Sequence, residues 1–242
     1  MEGGSIGSNT AEIGSGVHVD SGTFEMSCGS ITTNIATDEE DGSGVLVNCD
    51  ATFQVTGSAS VMNNSNKNVF LRGKLIERDT PGKLILTGNL TGTVLVTPGY
   101  EGSFGTASGT VSGANHIINE KNSRYAEVKG NTLDWSDSAF SGTLITLDWN
   151  NESRKTGKTA AFRNETTSFP IAAPAKTGCE FTGWHLQDGT LLIKPDGGLA
   201  AGVESYTDDS GKWQYNKTTL TLYAGWDQTG TELTLSGNGG TP

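Results

Sequence analysis

A pattern of three short strands recurs three times along the first half of this chain. Each copy contains a strand that leads to an asparagine, a second strand of closely spaced apolar residues, and a third strand around one large apolar residue. Ser5, Ser30 and Ser60 occupy equivalent positions in the three copies, 25 and 30 residues apart. A repeat of this length is typical of solenoids, in which each copy forms one coil of the chain.

A single three-strand coil cannot bury its apolar residues, so the repeat predicts that successive coils stack. Equivalent residues should then lie above one another at about 4.8 Å, with every backbone group paired between coils. The predicted apolar columns are Ile6, Ile31 and Val61; Val17, Val45 and Val69; and Phe24, Phe53 and Leu84. Asn9, Asn34 and Asn64 fall at a turn of each coil, where stacked side-chain amides are predicted to form a hydrogen-bonded ladder.

The composition favours a thin core with many tight turns. Hydrophobic residues make up 33% of the chain, and 34 residues are glycine. Apolar residues nevertheless come in regular bursts that disordered chains lack, and no window has the spacing of an amphipathic helix. The net charge of −11 argues against a nucleic-acid partner. No apolar run approaches the roughly 20 residues of a bilayer span, so no membrane insertion is predicted.

The repeats resemble those of right-handed parallel β-helix surface proteins from gut and other Gram-positive bacteria. The resemblance rests on Gly-Thr-Phe at 22–24, on the strand that ends at Asn34, and on Gly-Val-Leu-Val at 44–47. It covers about residues 1 to 97, with His18 and Leu46 where tyrosine is usual and Cys28 where glycine is usual. It implies an all-β (mostly β) fold that begins with a short right-handed parallel β-helix. Because a solenoid end exposes a sheet edge, residues 98 to 138 are predicted to form an irregular C-terminal cap, which completes a domain at 1–138.

Residues 139 to 228 are predicted to form a second, smaller domain, with residues 139 to 142 as its linker. Two motifs stand in it, Lys-Thr-Gly-x-x-Phe-Thr-Gly-Trp at 176–184 and Thr-Leu-x-Leu-Tyr-Ala-x-Trp at 219–226. They resemble the Listeria–Bacteroides repeat, also called the internalin B-type repeat, which implies a small β-grasp-like domain. The chain departs from that pattern at Cys179 and by an insertion at 195–217. Residues 229–242 are predicted to be a linker or tail.

The aromatic residues of the second domain have two possible uses. Trp184 and Trp226 are predicted to pack together in its core, because a small core depends on a few large side chains. For Trp213 and Tyr215, which lie in the insertion, the sequence leaves open both a core position and an exposed platform for sugar stacking.

No residue pattern in the chain predicts a catalytic, cofactor-binding or metal site, and we predict that the protein is not an enzyme. The three histidines are far apart, and His18 should face outward from its strand. The acidic run at 38–41 and the group Glu204, Asp208 and Asp209 are interpreted as solvated loops. Three cysteines with no CxxC spacing predict neither a disulfide framework nor a zinc site, but half-buried thiols at Cys28, Cys49 and Cys179.

The start of the sequence lacks the basic and apolar regions of a signal peptide and falls inside the repeat pattern. We therefore expect a fragment of a longer secreted or cell-surface modular bacterial protein, extracellular at the cell surface or in the cell wall. The predicted function is adhesion or display without catalysis. The partner is unknown, and a host protein and a glycan are the candidates. The alternative is a glycan-binding or polysaccharide-degrading β-helix protein whose active coils lie outside this sequence.

Overall fold

A computed structural model describes residues 1–40, 43–77, 79–167, 169 and 174–230. Within these residues the chain is all-β, with one short 3-10 helix, Ala114–His116. The strands of the first part are β1 Glu2–Gly7, β2 Thr10–Ala11, β3 Val17–Val19, β4 Gly22–Met26, β5 Cys28–Thr32, β6 Ile35–Ala36, β7 Ser43–Val47, β8 Ala51–Gly57, β9 Ser60–Val61, β10 Lys67–Leu71, β11 Lys83–Leu90, β12 Val94–Pro98, β13 Gly105–Ala107, β14 Ile117–Asn119, β15 Arg124–Lys129 and β16 Thr132–Ala139. The strands of the second part are β17 Gly142–Asp148, β18 Thr156–Phe162, β19 Cys179–His185, β20 Leu191–Ile193 and β21 Thr219–Gln228.

The first part is a stack of coils joined by three parallel ladders. One ladder runs through β1, β5, β9, β12 and β14, a second through β3, β7, β10 and β12, and a third through β4, β8, β11 and β13. The pairing aligns Ile6 with Ile31 and Ile31 with Val61, as the repeat predicts. The other two predicted columns are also confirmed, since the valines of the second ladder and the Phe24–Phe53–Leu84 series stand in register.

Burial along these columns depends on the position of the coil in the stack. Ile31, Val45 and Phe53 belong to an inner coil and are fully buried. Their partners in the first coil, Ile6 and Phe24, are only partly buried, although the Phe24 and Phe53 rings stack at 5.5 Å. Coils with neighbours on both sides therefore contribute most of the apolar burial that stabilises the solenoid.

The predicted amide ladder is present at one corner of the coils. Asn9 Nδ2 donates to Asn34 Oδ1, and Asn34 Nδ2 donates to Asn64 Oδ1, both at 2.9 Å. Asn64 in turn donates to Asn68 Oδ1 at 3.2 Å. The series ends on the Glu120 carboxylate, whose Oε2 accepts from Asn68 Nδ2 at 2.9 Å. Because four of these five side chains are buried, the ladder satisfies polar groups that water does not reach.

The predicted cap closes the far end of the stack. Within residues 98 to 138, β13 and β14 still continue two of the parallel ladders. The outer part is a hairpin of β15 and β16, and it pairs antiparallel with β14 through Tyr125 and with β13 through Leu133. Trp135 of the hairpin stacks on Phe104 at 4.0 Å. The hairpin thus covers strand edges that an open solenoid end would expose.

Tyr100 lies half-buried in the loop between β12 and β13 and links this loop to the preceding coil. Its hydroxyl donates to the Gly82 carbonyl at 2.7 Å. Burial raises the pKa of this phenol from 10.0 to about 12. The neutral phenol is favoured by folding, so its contribution to stability is complete below pH 10 and is lost as the pH rises toward 12.

We expect the variant Tyr100→Phe to lose less stability than the natural chain between pH 10 and pH 12. The measurement is urea unfolding of both proteins below pH 10 and again within that interval. Every other titratable group is the same in both proteins, so the difference between them isolates the phenol. An equal loss in the two proteins would contradict the assignment.

The second part is a five-stranded mixed sheet in the order β18-β17-β21-β19-β20. Its central strands β17 and β21 are parallel, and the outer pairs β17–β18 and β19–β20 are antiparallel. A parallel central pair flanked by antiparallel strands agrees with the predicted β-grasp-like sheet. No α-helix crosses it within the residues described between β18 and β19.

The second sheet packs directly on the outer side of the coils. Trp149 Nε1 donates to the side-chain Oδ1 of Asn63 at 3.0 Å. The backbone amide of Asn63 donates to the Lys158 carbonyl at 2.6 Å. A shared apolar cluster lies beside these bonds: Met62, Leu95, Ile118, Phe140, Leu144, Ala160 and Phe162. The predicted linker thus contributes a core residue, Phe140, and the two parts share one continuous interior. The placement of the domain boundary at 138 stays a prediction.

Candidate ligand-binding groove

A groove of about 670 Å³ runs between the coils and the edge of the second sheet. Its floor is the outward row of the first ladder: Ser5, Ser30, Ser60, Thr93 and His116. These residues precede the inward column of Ile6, Ile31, Val61, Val94 and Ile117, and alternation along a strand turns them to the opposite face. The repeat that builds the core therefore also builds a row of hydroxyl groups outside it.

The serines of the floor keep hydrogen-bonding capacity for a ligand. Ser30 Oγ donates to Ser5 Oγ at 3.2 Å. Ser60 Oγ donates to the Ser58 carbonyl at 3.4 Å and accepts from the Thr93 backbone amide at 3.3 Å. Each hydroxyl has one donor hydrogen and two acceptor lone pairs, so Ser30 and Ser60 keep acceptor positions and Ser5 keeps its donor hydrogen.

The wall of the groove is the end of β18 and the turn that follows it. The Glu165 amide donates to the Phe162 carbonyl at 3.2 Å, and the Glu165 carbonyl accepts from the Trp213 amide at 3.0 Å. Asn164 within this turn has a φ of 61°, a conformation that asparagine adopts more readily than most residues. The turn is thus held on both sides, and Glu165 is exposed where it lines the groove.

His116 connects the floor to the wall. Its ring stacks on Phe162 at 4.5 Å between centroids. Burial lowers the pKa of the imidazole, while the negative charge of Glu165 acts in the opposite direction. The ring is therefore held neutral at neutral pH. Its Nδ1 is buried and has no hydrogen-bond partner among the described residues, and the same is true of Thr167 Oγ1 on the wall.

Two ionisable side chains, His116 and Glu165, are among the described residues that line the groove. Glu165 is the sole carboxylate among the described residues that line it. Hydrolysis of a glycosidic bond ordinarily uses two carboxyl groups on opposite sides of that bond. The described chain also contains no cluster of three or more His, Cys, Asp or Glu side chains able to hold a metal ion.

The titratable residues outside the groove contact neighbouring groups of the protein. His18 is exposed, as predicted, and its Nε2 lies 3.1 Å from Asn48 Nδ2. His185 bonds locally to the Gly189 carbonyl. Asp208 Oδ1 accepts from the Ser210 and Lys212 amides, and these bonds lower the pKa of its carboxyl.

The acidic run lies in a loop whose described glutamates, Glu39 and Glu40, are exposed. In the acidic run, Asp38 caps the Glu40 amide at 2.6 Å, and Asp41 lies outside the described residues. The three cysteines are free and half-buried, as the sequence predicts.

The aromatic residues of the second part pack in its core or against it. Trp213, whose position the sequence left open, is fully buried, and its Nε1 donates to Thr143 Oγ1 at 2.9 Å. Trp184 is buried and Trp226 is half-buried. These two rings meet through Phe181, which contacts both edge-on at 5.4 and 5.5 Å. Tyr215 stacks on Tyr206 at 4.7 Å and is half-buried.

Comparison with the models of protein families finds no match, and comparisons with curated proteins and with solved structures find none either. Within the described part of the chain, no helix has the length and apolar character that crossing a bilayer requires.

Sequence reasoning identified the floor of this groove only in part. The equivalent positions of Ser5, Ser30 and Ser60 were visible in the repeat, and alternation would have placed them outside. His116 and Glu165 carried no such signal, because their proximity depends on how the second sheet packs against the coils.

Proposed function

We propose that this chain is a non-catalytic piece of a secreted or cell-surface modular bacterial protein that acts in adhesion or display. The proposal rests on the core that the coils and the second sheet share. Trp149 donates to Asn63 across this contact, and one apolar cluster contains residues of both parts. Two elements joined in this way move as one body, which suits a part that must present a surface in a fixed orientation. Its extracellular location belongs to the same proposal.

The stacked coils support this role because few core residues are enough to stabilise them. Stacked coils pair their backbones along the solenoid axis and need only thin apolar columns. Such a body offers long outer faces for recognition while its interior remains simple. The acidic surface, with a net charge of −11, favours partners without strong negative charge.

The test is binding of the purified chain to immobilised extracellular-matrix proteins, to host-cell surfaces and to glycan arrays. We expect saturable binding to at least one of these surfaces, with no release of reducing sugar from plant or host polysaccharides. Turnover of a polysaccharide would overturn the non-catalytic proposal. Failure to bind any of the surfaces would remove adhesion.

Polysaccharide degradation is the second candidate, and the groove is the observation in its favour. The single described carboxylate on the groove wall, Glu165, points instead toward binding without cleavage. The reducing-sugar measurement above separates the two candidates directly.

A further inference from the structure

We propose that the groove between the coils and the second sheet binds a neutral oligosaccharide, with its chain running along the solenoid axis. The proposal rests on the adhesive function proposed above and names the partner class for it. The residues that would contact the sugar are the serines of the floor, His116, Glu165 and Thr167.

The first argument is the spacing of the floor. Five successive coils contribute one outward side chain each, at a step of about 4.8 Å, so the row is roughly 19 Å long. Four of the five side chains carry hydroxyl groups: Thr93 is buried, Ser5 keeps its donor hydrogen, and Ser30 and Ser60 keep acceptor positions. A sugar chain presents hydroxyl groups at a comparable repeat and needs partners of both kinds. A row of this type thus matches a ligand with many neutral hydroxyl groups.

The second argument is the pair of polar atoms left without partners. His116 Nδ1 and Thr167 Oγ1 are both buried and unpaired among the described residues, and they belong to the floor and the wall of the same groove. Buried polar atoms are rarely unpaired in folded proteins, because each costs about 1–3 kcal/mol. A ligand hydroxyl that reached either atom, once its side chain turned toward the groove, would reduce that cost.

The third argument is charge. Glu165 is exposed at the groove wall and can accept from two adjacent sugar hydroxyl groups. The same carboxylate, in a chain of net charge −11, repels phosphate, sulfate and uronate groups. The arrangement therefore favours a neutral glycan over an acidic one.

The test is an array of neutral and acidic oligosaccharides, followed by titration of the best neutral ligand. The variants His116→Phe, which keeps a ring against Phe162, and Glu165→Gln should each weaken binding at least tenfold. Glu204→Gln, an equally exposed carboxylate far from the groove in sequence, is the matched control and should bind as the natural chain does. Circular dichroism melts confirm that each variant is folded, and Glu165→Gln carries the test if His116→Phe is not.

Other outcomes overturn the inference, and they do so separately from the proposed function. Neutral glycan binding that both groove variants retain would place the ligand elsewhere. Preference for an acidic glycan, or binding only to a matrix protein, would remove the neutral oligosaccharide while leaving adhesion intact. Failure to bind any of these partners would remove both proposals together.

Discussion

Replacing Asn64 with alanine is expected to lower the free energy of unfolding by about 3–5 kcal/mol, since several buried groups lose their partners at once. Asn64 Oδ1 accepts from the backbone and side-chain amides of Asn34 at 3.1 and 2.9 Å. Asn64 Nδ2 donates to the Ile31 carbonyl at 2.9 Å and to Asn68. Alanine removes these bonds and leaves their buried partners without the groups that paired them.

The matched control is Asn9→Ala, in the first coil of the same ladder. Asn9 is exposed and shares its bonds with solvent, so the loss should stay below about 1 kcal/mol. Urea unfolding of the three proteins, with the slope of each transition compared, measures the difference. Similar losses at the two positions would show that the ladder contributes no more inside the stack than at its end.

Replacing Gly157 with alanine is expected to separate the unfolding of the two parts of the chain and to destabilise it by about 3 kcal/mol or more. A Cβ at this position would lie 2.1 Å from Asn63 Oδ1 and 2.8 Å from Asn63 Cα. Asn63 has little freedom to move away, because its backbone has a φ of 56° and its amide is bonded to the Lys158 carbonyl. The added methyl group therefore pushes β18 off the coils and breaks the bond from Trp149.

Differential scanning calorimetry should show one transition for the natural chain and two for Gly157→Ala. The control is Thr156→Ala, the adjacent residue of β18, which is exposed and should leave a single transition shifted by only a small amount. A single, unshifted transition for Gly157→Ala would mean that the contact around Asn63 does not couple the two parts.

The features that the sequence predicted well are those that repeat. Phe53 and Val45 could be placed above and below their equivalents because stacking brings like positions together, and the same logic found the Asn34 ladder. Features that join different elements could not be predicted this way. Glu120, which ends the ladder, lies 52 residues from its partner Asn68 and outside any repeat.

The second sheet shows the same limit: contacts between different elements could not be predicted from the sequence. The sequence predicted a β-rich second part, but Trp213 could be assigned to the core only once its burial and the bond from its indole to Thr143 were seen. Contact between Gly157 and Asn63 depends on a glycine that has no sequence signal of its own. The position of the groove wall around Glu165 likewise depends on how the second sheet packs against the coils.

The amide series from Asn9 to Glu120 also fixes the register between successive coils. Connections between equivalent strands differ in length, and chain length alone would let a coil slip by a residue and turn its valines outward. Each asparagine must meet the next one at a fixed corner. A slipped coil would therefore leave two side-chain amides buried without hydrogen-bond partners. Segments between the corners are thus free to lengthen or shorten, and sequence variation should concentrate there while the asparagine positions stay constant.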